Sequence, residues 1–454
     1  MKVCKFGGSS LANAAQLSKV MDIVLSDAAR RIVVVSAPGK RHPRDSKVTD
    51  LLISLAEAAL AGGNTDREFG AVVERYASIA QDLRLGDDVT LSVENDLRAR
   101  LARRGELSPG EFTDLLKAAG EDNCAKLVAA AFCARGRKAR YASPKDTGMV
   151  LSGEFGNAVF DESSYASLSR AFSDFEGIVV YPGFFGYTRE GKVATFPRGG
   201  SDITGSILAA AVRADVYENF TDVDSVYPVD PRIVPEVTEG IATMTYREMR
   251  ELAYAGFGVF ADEAVIPAVR ARIPINIRNT NHPSEPGTMI LQSRRVSPGT
   301  LVGVAAADGF CSVFVEKYLM NRAVGFGRRL LQIFEEEGIP YEHAPSGVDT
   351  QCVIVKECNM PKEKERRIVA AIKRGLSPDF VSVEHDITAL MVVGEGMCYT
   401  PGMLGKAFTA LAEAGVSVSM VNSGSSETSI MITIARRDRD VAVRALYKTF
   451  FAHG

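Results

Sequence analysis

The chain opens Met1-Lys2-Val3-Cys4-Lys5-Phe6-Gly7-Gly8-Ser9-Ser10, and one design in it returns at Arg198-Gly199-Gly200-Ser201-Asp202. Each stretch sets a cation ahead of two glycines, follows them with a hydroxyl residue, and runs on into an apolar helical segment. Glycine lets backbone approach an anion closely, and the N–H groups and dipole at a helix start favour negative charge. A neighbouring Lys or Arg adds the charge that a transferring phosphoryl group requires. One such turn alone reads as structural; two of them point to phosphate.

Working outward, Lys2–Phe6 reads as a strand, as do Arg31–Ser36, Gly177–Tyr181, Ala214–Asn219 and Pro274–Arg278. Ala- and Leu-rich stretches at Asp50–Ala61, Asn123–Ala134 and Ile203–Arg213 alternate with them as helices. That alternation predicts a three-layer α/β/α domain around a mainly parallel sheet. Ligands of such sheets lie beyond the carboxyl ends of the strands.

The composition excludes several classes. Across 454 residues, 53 Lys and Arg face 56 Asp and Glu, a net charge of −3 that argues against a general nucleic-acid-binding face. Apolar residues at 46% and charged residues at 24% fit a soluble globular chain, with a prior of about three domains. No stretch approaches the length of a membrane span, so no membrane partner is expected. The opening turns polar and glycine-rich before a signal-peptide core forms. The seven cysteines are scattered and never in a CxxC pair, which reads as reduced thiols and a cytoplasmic protein. The five histidines show no metal-ligand spacing.

Three further segments bear on chemistry. Thr221-Asp222-Val223-Asp224-Ser225-Val226-Tyr227, continuing to Asp230-Pro231-Arg232, follows a strand end. Its carboxylates suit Mg²⁺, directly or through water, and Tyr227 and Arg232 suit stacking on and clamping a nucleotide. The plain alternative is an acidic turn closed by prolines. Glu121, in Gly120-Glu121-Asp122-Asn123, reads either as a helix-start acid complementing the dipole or as a carboxylate for a substrate ammonium. Gly186 to Lys192 has P-loop glycine spacing, but Val193 replaces the hydroxyl that would meet Mg²⁺, and the segment reads as a β-hairpin.

Pro283–Gly299 reads as a domain boundary, and beyond it the chain repeats. Gly325 and Gly402 lie 77 residues apart, and the same offset matches Glu336 with Glu413, Gly338 with Gly415, and Ser346-Gly347 with Ser423-Gly424. Duplicated supersecondary units account for such a pattern. The charged run Pro361–Arg367 reads as the solvated start of a helix.

Together these segments resemble the aspartate kinases of the amino-acid kinase family. The resemblance is carried by Lys5–Ser10, Val34–Ala37 with Val48-Thr49-Asp50, Gly120-Glu121, Phe196–Thr204, Phe220–Arg232, Tyr246–Ala255 and Ile273–Thr288. The repeated tail resembles two ACT ligand-sensing modules. The resemblance implies a catalytic domain of the amino-acid kinase type over 1–296, then ferredoxin-like βαββαβ modules over 300–386 and 387–454. It also implies phosphoryl transfer from MgATP to the side-chain carboxylate of L-aspartate. The products would be 4-phospho-L-aspartate and ADP, at the opening of lysine, threonine and methionine biosynthesis. A carboxylate with an ordinary pKa of about 3.9 is already ionised at neutral pH, so the chemistry needs no general base. Catalysis then rests on positioning and charge neutralisation.

Under this resemblance Lys5 bridges ATP phosphates and stabilises the transferring group, while Asp202 organises Lys5 and the metal–phosphate region. Gly7, Gly8 and Ser9 offer donors to phosphate, and Thr221, Asp222, Tyr227 and Arg232 form the nucleotide site. Arg198 pairs with the substrate α-carboxylate, Glu121 takes its ammonium, and Ser36, Thr49 and Ser201 line the pocket. Mg²⁺ arrives with ATP rather than on a protein ligand set. The tail implies feedback control and a dimer paired through its modules. The effector pocket is expected at Met320, Val324, Gly325, Glu342, Ser346, Gly347, Val348 and Asp349. Acidic residues suited to a second ammonium favour L-lysine over threonine, against the alternative of solvated turn residues.

The sequence departs from the commoner pattern at Ala255–Ala264, where Gly258 and Ala261 stand in place of a lysine and a histidine, and at Ser225, where glycine is usual. Two rival readings remain open here. One is a sister kinase acting on glutamate; the other is a non-catalytic amino-acid sensor, against which Lys5, Arg198 and Asp202 together argue.

Overall fold

Strand β1, Lys2–Phe6, lies inside an eight-stranded sheet of the computed structural model, which describes residues 1–452 apart from Asp174, residues 257–261, Tyr399 and residues 424–427. The other strands of the first compact unit are β2 Arg30–Val35, β3 Ala139–Tyr141, β4 Ile178–Pro182, β5 Phe185–Tyr187, β6 Val193–Thr195, β7 Val216–Thr221, β8 Thr243–Thr245, β9 Ile275–Asn279 and β10 Thr288–Leu291. The sheet order is β3-β4-β2-β1-β7-β9-β10-β8, parallel throughout except at β9–β10. The chain leaves β1 for β2 on one side and later places β7 on the other, which opens a crevice at the carboxyl ends. β5 and β6 form the expected hairpin, with the Thr188 N–H donating to the Lys192 carbonyl at 2.7 Å.

Central strands are buried on both faces and so read as nearly continuous apolar runs. On β1, Cys4 and Phe6 join the core with helices Ala14–Leu25, Val48–Leu60, Asp66–Asp82, Asp87–Ala102 and Pro109–Ala134. The opposite face meets helix Gly200–Ala211. The three layers follow. Helices Asp66–Asp82 and Asp87–Ala102 were not expected from the sequence. The helix expected at Asn123–Ala134 begins at Pro109, because Ser108 and Glu111 close a capping box and Pro109 opens the first turn. Glu121 is therefore a mid-helix residue, and its reading as a helix-start acid is corrected.

The second unit takes Arg295–Gly454 together with Tyr227–Glu239 and Arg247–Phe257. The segment 1–296 is thus not one compact body: Val229, Ile233, Val234 and Val237 pack into a core with Val304, Leu390 and Ile432. Its strands are β11 Gly303–Glu316, β12 Thr350–Lys356, β13 Phe380–Val393, β14 Val418–Ser423 and β15 Ser429–Ala435. They form one antiparallel sheet in the order β12-β11-β13-β15-β14. Helices Phe326–Glu336 and Lys362–Leu376 cover one core, and Met403–Glu413 and Arg439–Phe450 cover another.

The two cores share strands. Gly303–Ala307 of β11 pairs with Ala389–Val393 of β13, whereas Phe310–Glu316 pairs with both β12 and the first half of β13. The ladder breaks between Ala307 and Phe310, where Gly309 takes φ +84°. The division expected at 386/387 falls inside β13, so the modules interleave rather than follow each other. Pro361 caps the helix expected from its charged run, and Arg367 in that helix pairs with Glu337 at 2.7 Å. Among the described residues, no helix is long and apolar enough to cross a membrane.

Candidate functional site

Lys5 is a charge on a central strand, and its side chain is only 9% exposed. A buried ammonium needs a partner, and its Nζ reaches Asp202 Oδ1 at 2.7 Å. Asp202 lies in the first turn of helix Gly200–Ala211, entered through Gly199 at φ +85°. A carboxylate is favoured there by the dipole. Asn219 stands beside Lys5 in the β1–β7 register, and its Nδ2 donates to the same oxygen at 2.5 Å. The two glycines after β1 differ in duty. Lys5 Nζ lies 3.6 Å from where a Gly7 Cβ would stand, so the ammonium borders open backbone. Gly8 admits the loop after β2: its carbonyl accepts the Gly39 N–H at 2.8 Å, and a Cβ on Gly39 would sit 2.6 Å from the Gly8 carbonyl carbon. Ser9 is exposed in the short turn that follows.

Glu121 is 4% exposed, and its Oε2 has no partner among the described residues. Burial pushes its carboxyl up to about 8, with the Ala37 N–H pulling the other way. Gly120 permits this geometry, since a Cβ there would be 2.8 Å from the Ala37 methyl. Thr49 sits in the first turn of helix Val48–Leu60, whose Val48 and Leu52 pack against Gly120. Ser36 follows β2, with its N–H on the Phe6 carbonyl. Arg75 pins the intervening loop from beneath: it donates to the Gly39 carbonyl at 2.7 Å, to Asp45 at 2.8 Å and to the Ser46 carbonyl at 3.1 Å.

Ser201 is buried against Gly183, where a Cβ would stand 2.7 Å from its own. Arg198 is exposed at the mouth of the same helix. Lys117, one turn before Glu121, lies 5.3 Å from the Phe184 ring centre, and Phe184 packs on Gly200. These contacts link the Glu121 helix to the Arg198–Ser201 turn. Lys5, Gly7, Gly8, Ser36, Ser201 and Asp202 thus share the carboxyl edge of one sheet, with Glu121 bonded to the loop that leaves it.

Thr221 ends β7 and Asp222 follows it, exposed, its Oδ1 accepting from the Thr221 hydroxyl at 3.2 Å. Asp224 is engaged by Asn279 and by His282, each at 2.7 Å. Tyr227 and Arg232 fall in the second unit. Tyr227 packs against that unit's core, and Arg232 is held by Asp230 at 2.7 Å. Gly258 and Ala261 lie outside the described residues. In the tail, Asp349 approaches the expected effector segment, its carbonyl accepting the Lys317 N–H, and its Oδ1 is buried without a described partner. Val324 and Val348 are exposed, and Glu342 lies 3.7 Å from Lys356. Met320 departs from expectation: its side chain is buried in the first module's core with Phe326 and Leu330.

Sequence reasoning passed over Asn219 and Arg75. Arg75 left a trace, a cation in the apolar stripe of Val72, Tyr76 and Ile79.

A buried ammonium held by one carboxylate beside glycine backbone, at a parallel sheet's carboxyl edge, suits phosphoryl transfer. Residues 1–279 match the amino acid kinase family, and residues 390–450 match an ACT domain. Aspartokinase 3 of Bacillus subtilis is 51% identical over 452 residues, covering 100% of this chain and 99% of that protein. The crystal structure of Clostridium acetobutylicum aspartate kinase is 35% identical with a TM-score of 0.88, covering 99% of this chain and 100% of that one. Escherichia coli aspartokinase III, solved with aspartate and ADP, shares the fold at 23% identity and a TM-score of 0.79, covering 99% of this chain and 100% of that chain. The chain belongs to the amino acid kinase family, among its aspartokinases.

Proposed function

We propose that the protein transfers the terminal phosphoryl group of MgATP to the side-chain carboxylate of L-aspartate, giving 4-phospho-L-aspartate and ADP. The observation that carries this reading is the pairing of two opposite needs at one edge: Lys5 is charged and partnered, whereas Glu121 is buried with an oxygen unfilled. A ligand bearing an ammonium satisfies Glu121, and a ligand bearing phosphates engages Lys5.

Position supports each proposed role. Lys5 moves part of its pairing from Asp202 to the transferring group as negative charge develops on it. Gly7 leaves the ammonium unobstructed. Arg198 offers a two-pronged donor to the α-carboxylate, and Glu121 takes the ammonium. The side-chain carboxylate is left free as the nucleophile, already ionised and needing only alignment. Thr221 and Asp222 border the nucleotide, and Mg²⁺, when bound with ATP, neutralises phosphate charge. The interleaved modules bind an inhibiting amino acid, L-lysine, with Glu342 and Asp349 as ammonium partners, and pair two chains.

The test is trapping with hydroxylamine. ATP, Mg²⁺ and L-aspartate should yield a hydroxamate, and added L-lysine should suppress it. Hydroxamate from glutamate but not aspartate would transfer the reading to the sister kinase, and inhibition unchanged in Glu342→Ala would remove the effector assignment.

A further inference from the structure

The Lys5–Asp202 pair has a third member to which the chemistry above gives no part. Asn219 is 3% exposed on β7, between β1 and β9. A buried polar side chain on a central strand costs free energy unless it is hydrogen-bonded, and an aliphatic residue packs there at no such cost. The fold alone does not call for an amide. We propose that Asn219 is a positioning residue for phosphoryl transfer: it fixes the Asp202 carboxylate so that Lys5 holds its ammonium at the crevice mouth. The inference rests on the reading of Lys5 as the phosphate-binding cation.

Asp202 Oδ1 takes two donors, Lys5 Nζ at 2.7 Å and Asn219 Nδ2 at 2.5 Å. The Tyr217 hydroxyl, two residues earlier on the same face of β7, donates to the Asp202 carbonyl at 3.2 Å. Asn219 Nδ2 also lies 3.4 Å from that hydroxyl. A Cβ at Gly205 would stand 2.6 Å from the Tyr217 hydroxyl, so glycine is what lets the ring reach the helix. Strand β7 therefore holds residue 202 at both its carboxylate and its carbonyl.

The kind of donor matters. A cation at 219 would compete with Lys5 for Asp202 and neutralise it. A carboxylate would repel it. An aliphatic residue would let Asp202 turn with its partner, and the flexible four-carbon stem of Lys5 would follow. A neutral amide fixes the geometry and leaves the charge pairing to Lys5.

Asn219→Ala and Asn219→Asp are compared with wild type by hydroxamate kinetics, calorimetric binding of ATP and ADP, and thermal unfolding. In Asn219→Ala, kcat should fall about 10- to 100-fold from misplacement of the reacting groups, while KM for aspartate stays within about twofold. The preference for ATP over ADP should shrink with it. In Asn219→Asp, activity relative to wild type should rise as pH falls. The added carboxyl, beside Asp202, protonates at a raised pH and then donates in place of the amide. Wild-type kcat and ATP preference in Asn219→Ala would overturn the inference whatever its melting temperature, as would a pH-independent ratio in Asn219→Asp. Should Asn219→Ala not fold, the nearly isosteric Asp variant decides alone. A wild type inactive on aspartate would remove the substrate reading only; the ATP-over-ADP comparison then still decides the part of Asn219.

Discussion

Glu121 and Glu218 are both buried carboxylates of the first unit, 4% and 1% exposed, yet they are treated in opposite ways. Glu218, on β7, receives Arg30 through two bonds at 2.7 and 2.9 Å, the Cys4 thiol at 3.2 Å and Arg278 at 3.3 Å. Burial alone would push it up, but the hydrogen bonds and charge of Arg30 carry it below the ordinary carboxylate range. Glu121 has no such escort, and burial raises it to about 8. One charge is fully answered within the protein and knits β1, β2, β7 and β9 together. The other keeps an oxygen without a partner among the described residues, which the proposed substrate ammonium would fill. On the reading proposed above, incomplete satisfaction, not burial, separates the functional carboxylate from the structural one.

The sharpest way to break this contrast is to remove each group. Glu218→Ala strands Arg30 and should cost about 3–5 kcal/mol of stability, read by denaturant unfolding, with KM for aspartate unchanged in the folded fraction. A variant as stable as wild type would contradict the structural half. Glu121→Ala should do the reverse, lowering kcat/KM for aspartate roughly 100-fold, about 3 kcal/mol of lost binding, with no loss of stability. Next in size is a pH effect. Between pH 6 and 8 free Glu121 holds a proton that the substrate ammonium must displace, so KM for aspartate should fall as pH rises, by up to about tenfold per unit. A flat KM across that range would count against an open Glu121.

The smallest effect concerns the folded state without substrate. With its folded pKa raised above the unfolded one, Glu121 imposes no charge penalty below about pH 4.5, and the penalty grows as pH rises towards 8. Glu121→Gln should therefore raise stability at pH 8 and change it little at pH 4.5. Equal gains at both values would mean that packing, not charge, is responsible.

The sequence announced five strands of the eight-stranded sheet, β1, β2, β4, β7 and β9, within a residue or two, because these central strands are apolar on both faces and end at glycine or hydroxyl residues; the short β3, β8 and β10 towards its edges went unread. It also put Lys5 near the end of the first strand and Asp202 close to the start of a helix, although their 2.7 Å contact belongs to the tertiary structure. What it missed has a common cause. Asn219 looked like an ordinary strand-end polar residue, because its meaning depends on the β1–β7 register. Glu121 looked like a helix-start acid because the capping box that begins its helix lies 13 residues upstream, at Ser108. The 77-residue repeat was visible, but not that its copies exchange strands, since one long strand and two short ones read alike along a sequence.

That exchange has a consequence for how the tail is inherited. Because β11 and β13 each contribute to both cores, neither copy can be cut out, duplicated or traded without tearing the other. A fragment beginning at 387 lacks the Gly303–Ala307 strand that its sheet pairs with, and one ending at 386 severs β13. The heritable piece is the whole stretch from about Leu301 to Phe450 together with the Tyr227–Glu239 segment whose Val229, Ile233 and Val237 share its core, so recombination that reshapes the tail must move both or work by point substitution.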